Sequence, residues 1–371
     1  MKQIGLGVIG VGWCGGIRAQ TAASSPLVGA SNLHLAEIRP DRLAEIAART
    51  GAATATSDYR ELLANPAIDA VVISTTPETT HHPIALAALQ AGKHVLLEKP
   101  LALTIEEADQ LIEKAARRRL RFTVGYSQRF NPKQALIKRS LADGTLGTPV
   151  SVLISRHITR RLGEKIGARI KLSPAAMEAT HDIDFALWCL EPARPVRVYA
   201  QAAGRVMRQR HGVDDCVSMV ITMDDGTLVT IGAGWILPPA YPNFSTTWIE
   251  VVGTEGALFA DDSHRDTVLS TMADGTVFPL STMPGEAVGH VYAGPMERET
   301  VHFLEAVALD REVLVTPAQA RLAMEVYLAA DLSAERNEPV SLNPGGLNPN
   351  SSPAASGGQR TMRDALAAPG S

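Results

Sequence analysis

A short apolar strand, Ile4 to Ile9, runs straight into Gly10-x-Gly12-x-x-Gly15, and acidic Glu37 closes the next apolar segment, Asn32 to Ala36. Each glycine has a separate task. One makes the tight turn, one lets backbone approach a pyrophosphate, and one lets the following helix pack on the strand. The free N–H groups and positive dipole end of that helix then hold phosphate. Strand, triplet, helix and an acidic residue about 20 positions on form a dinucleotide fingerprint, which a lone glycine turn does not. Gly10, Gly12, Trp13, Cys14 and Gly15 are therefore expected around the cofactor phosphates, with Glu37, Ile38 and Arg39 at the adenosine ribose. Glu37 favours the free ribose hydroxyls of NAD; Arg39 and Arg42 leave open either a solvated helix face or the 2′-phosphate of NADP. NAD is the expectation. Cys14 reads as a small residue suited to a tight turn, with oxidation sensitivity as the alternative.

At 371 residues the length predicts about two domains. The net charge of −4 points to neither nucleic acid nor an anionic membrane surface. No apolar run approaches the ~20 residues that span a bilayer. The first apolar run follows Lys2, as in a signal peptide, but it doubles as the first strand and no arginine pair precedes it. Cys14, Cys189 and Cys216 are unpatterned, which fits a reducing cytoplasm without structural disulfides or zinc. His34, His82, His211, His264, His290 and His302 show no ligand spacing, so no metal is expected.

Strand and helix patterns alternate to about residue 126. Pro40 opens a helix that Gly51 closes, and Thr104-Ile105-Glu106-Glu107 is a capping box. Ala70 to Ile73 is continuously apolar, as in a strand buried on both faces. Residues 1–126 are thus predicted to be a doubly wound α/β domain with a parallel sheet, a Rossmann domain. Strand patterns then predominate, with Asp224-Asp225-Gly226 as a hairpin turn, one helix near Met177 to Leu190, and two closing helices. Residues 127–343 read as an α+β domain whose largely antiparallel, open sheet carries helices on one face. Its other face predicts a homodimer or homotetramer. Residues 344–371, rich in Gly, Pro, Ser, Asn and Ala, read as a disordered tail.

Glu98-Lys99-Pro100 ends a buried strand at the carboxyl edge of the sheet, where ligands bind in open α/β folds. A lysine there is either a solvated charge or a proton-transfer group tuned by its neighbours. Together with Thr76-Pro77-Glu78-Thr79-Thr80-His81, Gly125-Tyr126-Ser127-Gln128-Arg129-Phe130-Asn131-Pro132, His181-Asp182-Ile183-Asp184 and Gly253-Thr254-Glu255-Gly256, this motif resembles the Gfo/Idh/MocA oxidoreductases, in order over about residues 4 to 342. The resemblance implies an NAD(P)-dependent dehydrogenase acting on a secondary alcohol of a sugar, sugar acid or inositol-like cyclitol. By position it implies Lys99 as the lysine on the reacting hydroxyl, His181 as acid/base and Asp184 as its support. Thr75, Thr76, Pro77, His81 and Glu98 fall at the nicotinamide, and Tyr126 and Arg129 at the substrate. An imidazole titrating near neutrality suits the base.

One departure matters. Many relatives carry an aspartate four residues before the histidine, where this chain has Met177. Glu178, three residues before His181, shares a helix face with it and is expected to take the carboxylate role; the alternative is that it faces elsewhere. The segment from Arg156 to Lys171 is strongly basic. It reads as a solvated face or subunit contact, or as a binding site for an anionic group through Lys165, Arg169 and Lys171. Two other functions stay open on this scaffold: a transient-redox NAD enzyme (elimination, epimerisation or glycosidic cleavage), and a non-catalytic NAD(P)-sensing regulator.

Overall fold

The computed structural model describes residues 3–243, 245–263, 267–273, 275–278, 286–289, 291–343 and 346–347. The first 126 residues form six strands: β1 (Leu6–Ile9), β2 (Leu33–Ala36), β3 (Thr54–Thr56), β4 (Ala70–Ile73), β5 (His94–Leu97) and β6 (Phe122–Val124). Between them run α1 (Trp13–Ser24), α2 (Pro40–Thr50), α3 (Tyr59–Ala64), α4 (His81–Gln90) and α5 (Ile105–Arg117). All strand pairs are parallel, in the order β3-β2-β1-β4-β5-β6. The order reverses between β1 and β4, so their carboxyl ends open the crevice that ligands use in such sheets. Local chemistry agrees with the sequence pattern. Thr104 and Glu107 form the predicted capping box, and Gly51 closes α2 in the left-handed conformation. Helix α4 starts at His81 rather than Pro83, because a proline is tolerated within a first helical turn.

The rest comprises α6 (Pro132–Ala142), β7 (Pro149–Thr159), α7 (Arg160–Arg169), α8 (Thr180–Leu190), β8 (Pro195–Ala203), α9 (Val206–His211), β9 (Cys216–Met223), β10 (Leu228–Leu237), β11 (Ser245–Gly253) and β12 (Ala257–Asp261). Two small hairpins follow, β13 (Leu269–Thr271) with β14 (Gly275–Val277) and β15 (Glu286–Val288) with β16 (Val291–Ala293). Then come α10 (Pro295–Ala308), α11 (Pro317–Arg336), β17 (Val340–Asn343) and β18 (Gly346–Leu347). The second sheet has the order β12-β11-β7-β10-β9-β8-β17-β18. Its β7–β10 pair is parallel and the others are antiparallel, so the sheet is mixed rather than purely antiparallel.

Alternation along β7, β9, β10 and β11 turns Ile154, Ile221, Ile231 and Ile249 into one core with α8 and α11. Tyr199, Val220, Leu228, Trp248 and Phe259 stay exposed. Helix α10 does not stay with this sheet. Its Phe303 and Leu304 enter the core formed by Leu6, Val8, Leu33 and Leu35 of the first sheet. Helices α7 and α9 were not foreseen: α7 was read as a basic charge run, and α9 is only six residues long. The tail expected from residue 344 lies outside the described residues, except that Gly346–Leu347 pairs with β17. His264 and His290 also lie outside them. Among the described residues no helix is long and apolar enough to cross a membrane.

Candidate active site

The glycine loop is built as a phosphate cradle. Gly10 has φ +81°, and a Cβ on Gly15 would lie 1.9 Å from Gly10 O, so neither position accepts a side chain. Helix α1 begins at Trp13 with no side-chain cap and no acidic residue in its first turn. Its N–H groups are thus available to an anion. The loop is gripped from beneath. Glu37 Oε2 accepts from Val11 N at 3.0 Å, and Arg42 donates to Val11 O at 2.8 Å and Gly12 O at 3.0 Å. Glu37 is 8% exposed and its other oxygen accepts from Arg39 N. These residues fit the dinucleotide: the carboxylate retains acceptor capacity for ribose hydroxyls, and Arg42 is committed to loop carbonyls and Glu45. Arg42 is therefore neither a solvated helix-face charge nor free for a 2′-phosphate. Trp13 and Ile38 are exposed. Burial pushes the Cys14 thiol up to about 12, so it is no reactive thiolate.

The loop after β4 touches the glycine loop: a Cβ on Gly10 would meet Ser74 O at 2.5 Å. Thr75 Oγ1 and Thr80 Oγ1 share a 2.6 Å hydrogen bond. The His81 ring nitrogens lie 2.9 Å from Pro100 O and 3.1 Å from Thr75 O. His81 thus ties the Thr76-Pro77 turn to the segment bearing Lys99. Glu98 is held by Arg18, whose guanidinium also reaches Glu299 at 2.6 Å and Thr300 at 3.0 Å.

Lys99 Nζ donates to Met177 O at 2.6 Å. That carbonyl belongs to a π-helical turn, Ala175–Ala179, leading directly into α8. The wider turn alters the hydrogen-bonding register of the segment that brings Glu178 and His181 to Lys99, and such turns recur at functional sites. Glu178 is buried, and Trp235 Nε1 donates to its Oε1 at 2.7 Å. Desolvation raises the Glu178 pKa, against the opposing pull of Lys99, the Trp235 bond and Arg156. His181 Nδ1 is buried without a hydrogen-bond partner, and the ring meets Tyr126 edge to face at 5.9 Å. Desolvation, then the Lys99 and Arg156 charges, hold the His181 pKa well below its ordinary value. The imidazole is therefore neutral rather than titrating near neutrality.

Several expected site residues are committed elsewhere. Glu178 bonds Trp235, not His181, because the π turn precedes the regular helix on which the three-residue spacing was read. Arg129 and Asp184 form a buried two-pronged ion pair at 2.6 and 2.9 Å, away from the substrate role expected of them. Arg129 also lines a separate cavity of about 860 Å³ with Trp188 and Arg321. Tyr126 is 1% exposed with its hydroxyl on Thr180. Arg169 pairs with Glu78, Lys171 donates to Gly167 O, and Lys165 is exposed on α7. Arg18 and Glu299 were not foreseen as site residues, and Arg156 only as one end of the basic segment. Arg156, which grips Asp182 through three hydrogen bonds of 2.8 to 2.9 Å, had a signal: it alternates with buried Val152 and Ile154 along β7. Arg18 had one too, three residues after Gly15 on a helix of small residues. Among the described residues no cluster could hold a metal ion.

Comparison with known proteins accounts for both sheets. Residues 4–126 match the Gfo/Idh/MocA oxidoreductase family with its NAD-binding Rossmann fold, and residues 135–259 match the Gfo/Idh/MocA C-terminal domain. The scyllo-inositol 2-dehydrogenase (NAD(+)) of Bacillus subtilis (strain 168) is 28% identical over 344 residues, covering 92% of this chain and 97% of its own. The myo-inositol 2-dehydrogenase of Thermotoga maritima is 28% identical over 275 residues, covering 73% of this chain and 79% of its own. In fold, the structure resembles scyllo-inositol dehydrogenase from Lactobacillus casei with bound NAD(H) and scyllo-inositol. The TM-score is 0.76 at 20% identity, over 92% of this chain and 99% of that one. A glycine cradle, a lysine at the end of β5 and a histidine on α8 thus stand within a fold and sequence shared end to end, and the chain belongs to the Gfo/Idh/MocA family of NAD-dependent oxidoreductases.

Proposed function

We propose that this chain oxidises one secondary hydroxyl of an uncharged polyol, an inositol-like cyclitol or a sugar, with NAD as hydride acceptor. The observation that carries the reading is the meeting of Lys99, His181 and Glu178 through the 2.6 Å bond from Lys99 Nζ to Met177 O. The relatives named for scyllo- and myo-inositol support the substrate class. When bound, NAD supplies the hydride-accepting nicotinamide. The chain supplies the rest. Two further N–H groups of Lys99 orient the carbinol oxygen and stabilise negative charge developing there. The neutral His181 imidazole accepts the hydroxyl proton, and Tyr126 fixes its plane. The Trp235 bond favours the charged form of Glu178 beside Lys99, against its desolvation.

The charge pattern supports an uncharged substrate. Arg156, Arg169 and Arg129 are each paired with a carboxylate. An anionic substrate would instead have to use exposed Lys165 or Lys171, or Arg160, whose buried Nε has no hydrogen-bond partner. The same reading places the protein in the cytoplasm, where Cys14, Cys189 and Cys216 remain free thiols. It also assembles the chain into a homodimer or homotetramer through the exposed sheet face bearing Tyr199, Trp248 and Phe259.

The test mixes purified protein with NAD or NADP and a panel of inositols, sugars, sugar acids and sugar phosphates, following the reduced-nicotinamide absorbance. Reduction of NAD by inositols or neutral sugars, lost on mutating Lys99 or His181, is the expected result. Cofactor binding without turnover of any panel member overturns it, and turnover of acids or phosphates alone overturns the uncharged substrate.

A further inference from the structure

The contacts around the cleft close into a ring. From Lys99 the path runs through Met177 O to Glu178 and on to the Trp235 indole. Trp235 lies against Gly163 of α7 so closely that a Cβ there would fall 2.5 Å from the Trp235 Cβ. Helix α7 ends at Arg169, whose Nη2 reaches Glu78 Oε1 at 2.5 Å while its Nε lies 3.3 Å from Oε2. Glu78 stands in the loop after β4, and His81, the first residue of α4, returns to Pro100, the residue after Lys99. Among the described residues, the Arg169–Glu78 ion pair ties the end of α7 to the cofactor loop through side-chain charge.

We propose that Arg169 and Glu78 are a positioning pair that latches α7 to the loop beside the nicotinamide and so fixes the substrate wall relative to the cofactor. Glu78 is 4% exposed, and a carboxylate removed from water needs a partner of opposite charge. The fork matches both carboxylate oxygens, a geometry that a lysine ammonium cannot reproduce. Arg169 is also the last residue of α7, where the helix dipole favours a cation. The paired Arg169 lowers the Glu78 pKa despite its burial, so the pair is charged at neutral pH. Neither side chain touches the reacting atoms; both act through the distance they set. That distance matters because a displacement of about 1 Å can cost on the order of a hundredfold in rate.

This inference rests on the polyol dehydrogenase reading for its kinetic arm, so the experiment carries a second arm that does not. Wild type, Glu78→Gln, Arg169→Met, Arg169→Lys and the Glu78→Gln/Arg169→Met double variant are compared by kcat, KM for polyol, and NADH Kd from fluorescence titration. The expected result is a fall in kcat of roughly 10- to 100-fold in the Glu78→Gln and Arg169→Met variants, with NADH Kd within about threefold. Arg169→Lys recovers part of kcat, and the double variant is no worse than the poorer single one, as for residues that act together. Hydrogen–deuterium exchange over residues 160–171 is measured on the same proteins without substrate and rises when either partner is changed. Unchanged kcat, NADH affinity falling in parallel with kcat, or additive effects in the double variant would each overturn the latch. If the wild type oxidises no polyol, the functional reading fails separately, and unchanged exchange in Glu78→Gln and Arg169→Met then overturns the latch.

Discussion

Trp235 donates its indole N–H to Glu178 at 2.7 Å, and both side chains are buried. The bond ties a carboxylate of the π turn to the strand at the centre of the second sheet. Removing the donor leaves a buried acceptor unsatisfied, which costs about 1–3 kcal/mol. Trp235→Phe is therefore expected to lower Tm by several degrees. Glu178→Gln in that background recovers part of the loss, because a neutral amide is cheaper to bury than a carboxylate. Thermal melts of the two proteins check this, and equal or further loss in the double variant counts against it.

Lys99→Met and His181→Asn remove the two groups placed on the hydroxyl. Each is expected to lower kcat by about 10²- to 10⁴-fold, the range for positioned proton-transfer groups. NADH titration should show affinity within about threefold of wild type, because the glycine cradle holds most of the cofactor.

Gly12→Ala and Gly15→Ala separate cofactor fit from folding. A Cβ on Gly12 has no neighbour closer than Arg39 Nη2 at 4.0 Å, whereas on Gly15 it meets Gly10 O at 1.9 Å. Gly12→Ala should keep its Tm and lose NADH affinity by more than about tenfold, as its methyl occupies the approach of the pyrophosphate. Gly15→Ala should lose both. Melts with and without NADH distinguish the two outcomes.

Glu299 gives a pH dependence of stability. Burial is the main cause that lifts its carboxyl from 4.5 to about 7, against Arg18, and its Oε1 has no partner. The folded state keeps the proton over a range where the unfolded chain has released it. Its stabilising contribution is thus complete below about 4.5 and is lost as pH rises through about 7. Glu299→Gln should flatten the slope of Tm against pH across that window. A slope identical to wild type rules the assignment out.

The exposed sheet face is tested by charge. Trp248 and Phe259 stack at 6.2 Å on that face. Trp248→Glu should shift light-scattering mass to the monomer with kcat for polyol within about twofold, surface substitutions outside a packed contact being mild. A wild-type monomer at micromolar concentration removes the premise.

The fold was legible where local rules and tertiary context agree. Helix α6 begins at Pro132, α11 lies between Thr316 and Asn337, and β9 turns into β10 at Gly226, all as capping and turn chemistry dictate. The parallel β7–β10 pair was hidden, because register between strands far apart in sequence leaves no local mark. In the candidate site, Lys99 and His181 were named from motif order, and the structure brings Lys99 against the turn that leads into α8. Partners were not legible: the fate of Glu178 depended on a π turn, and that of Arg169 on a carboxylate in another unit of the fold. Alternation along β7 did carry the burial of Arg156.

Phe303 and Leu304 complete the apolar interior of the first sheet, beside Leu6 and Val8. On the ribosome, strands β1 to β6 emerge long before these two side chains exist. At ordinary elongation rates of about 5–20 residues per second, the nascent sheet waits on the order of 10 to 40 seconds for its last core residues. Expression of residues 1–126 alone would therefore yield a chain with a permanent apolar gap, prone to association. The carboxyl half of the protein acts, during synthesis, as the lid on the interior of the amino half.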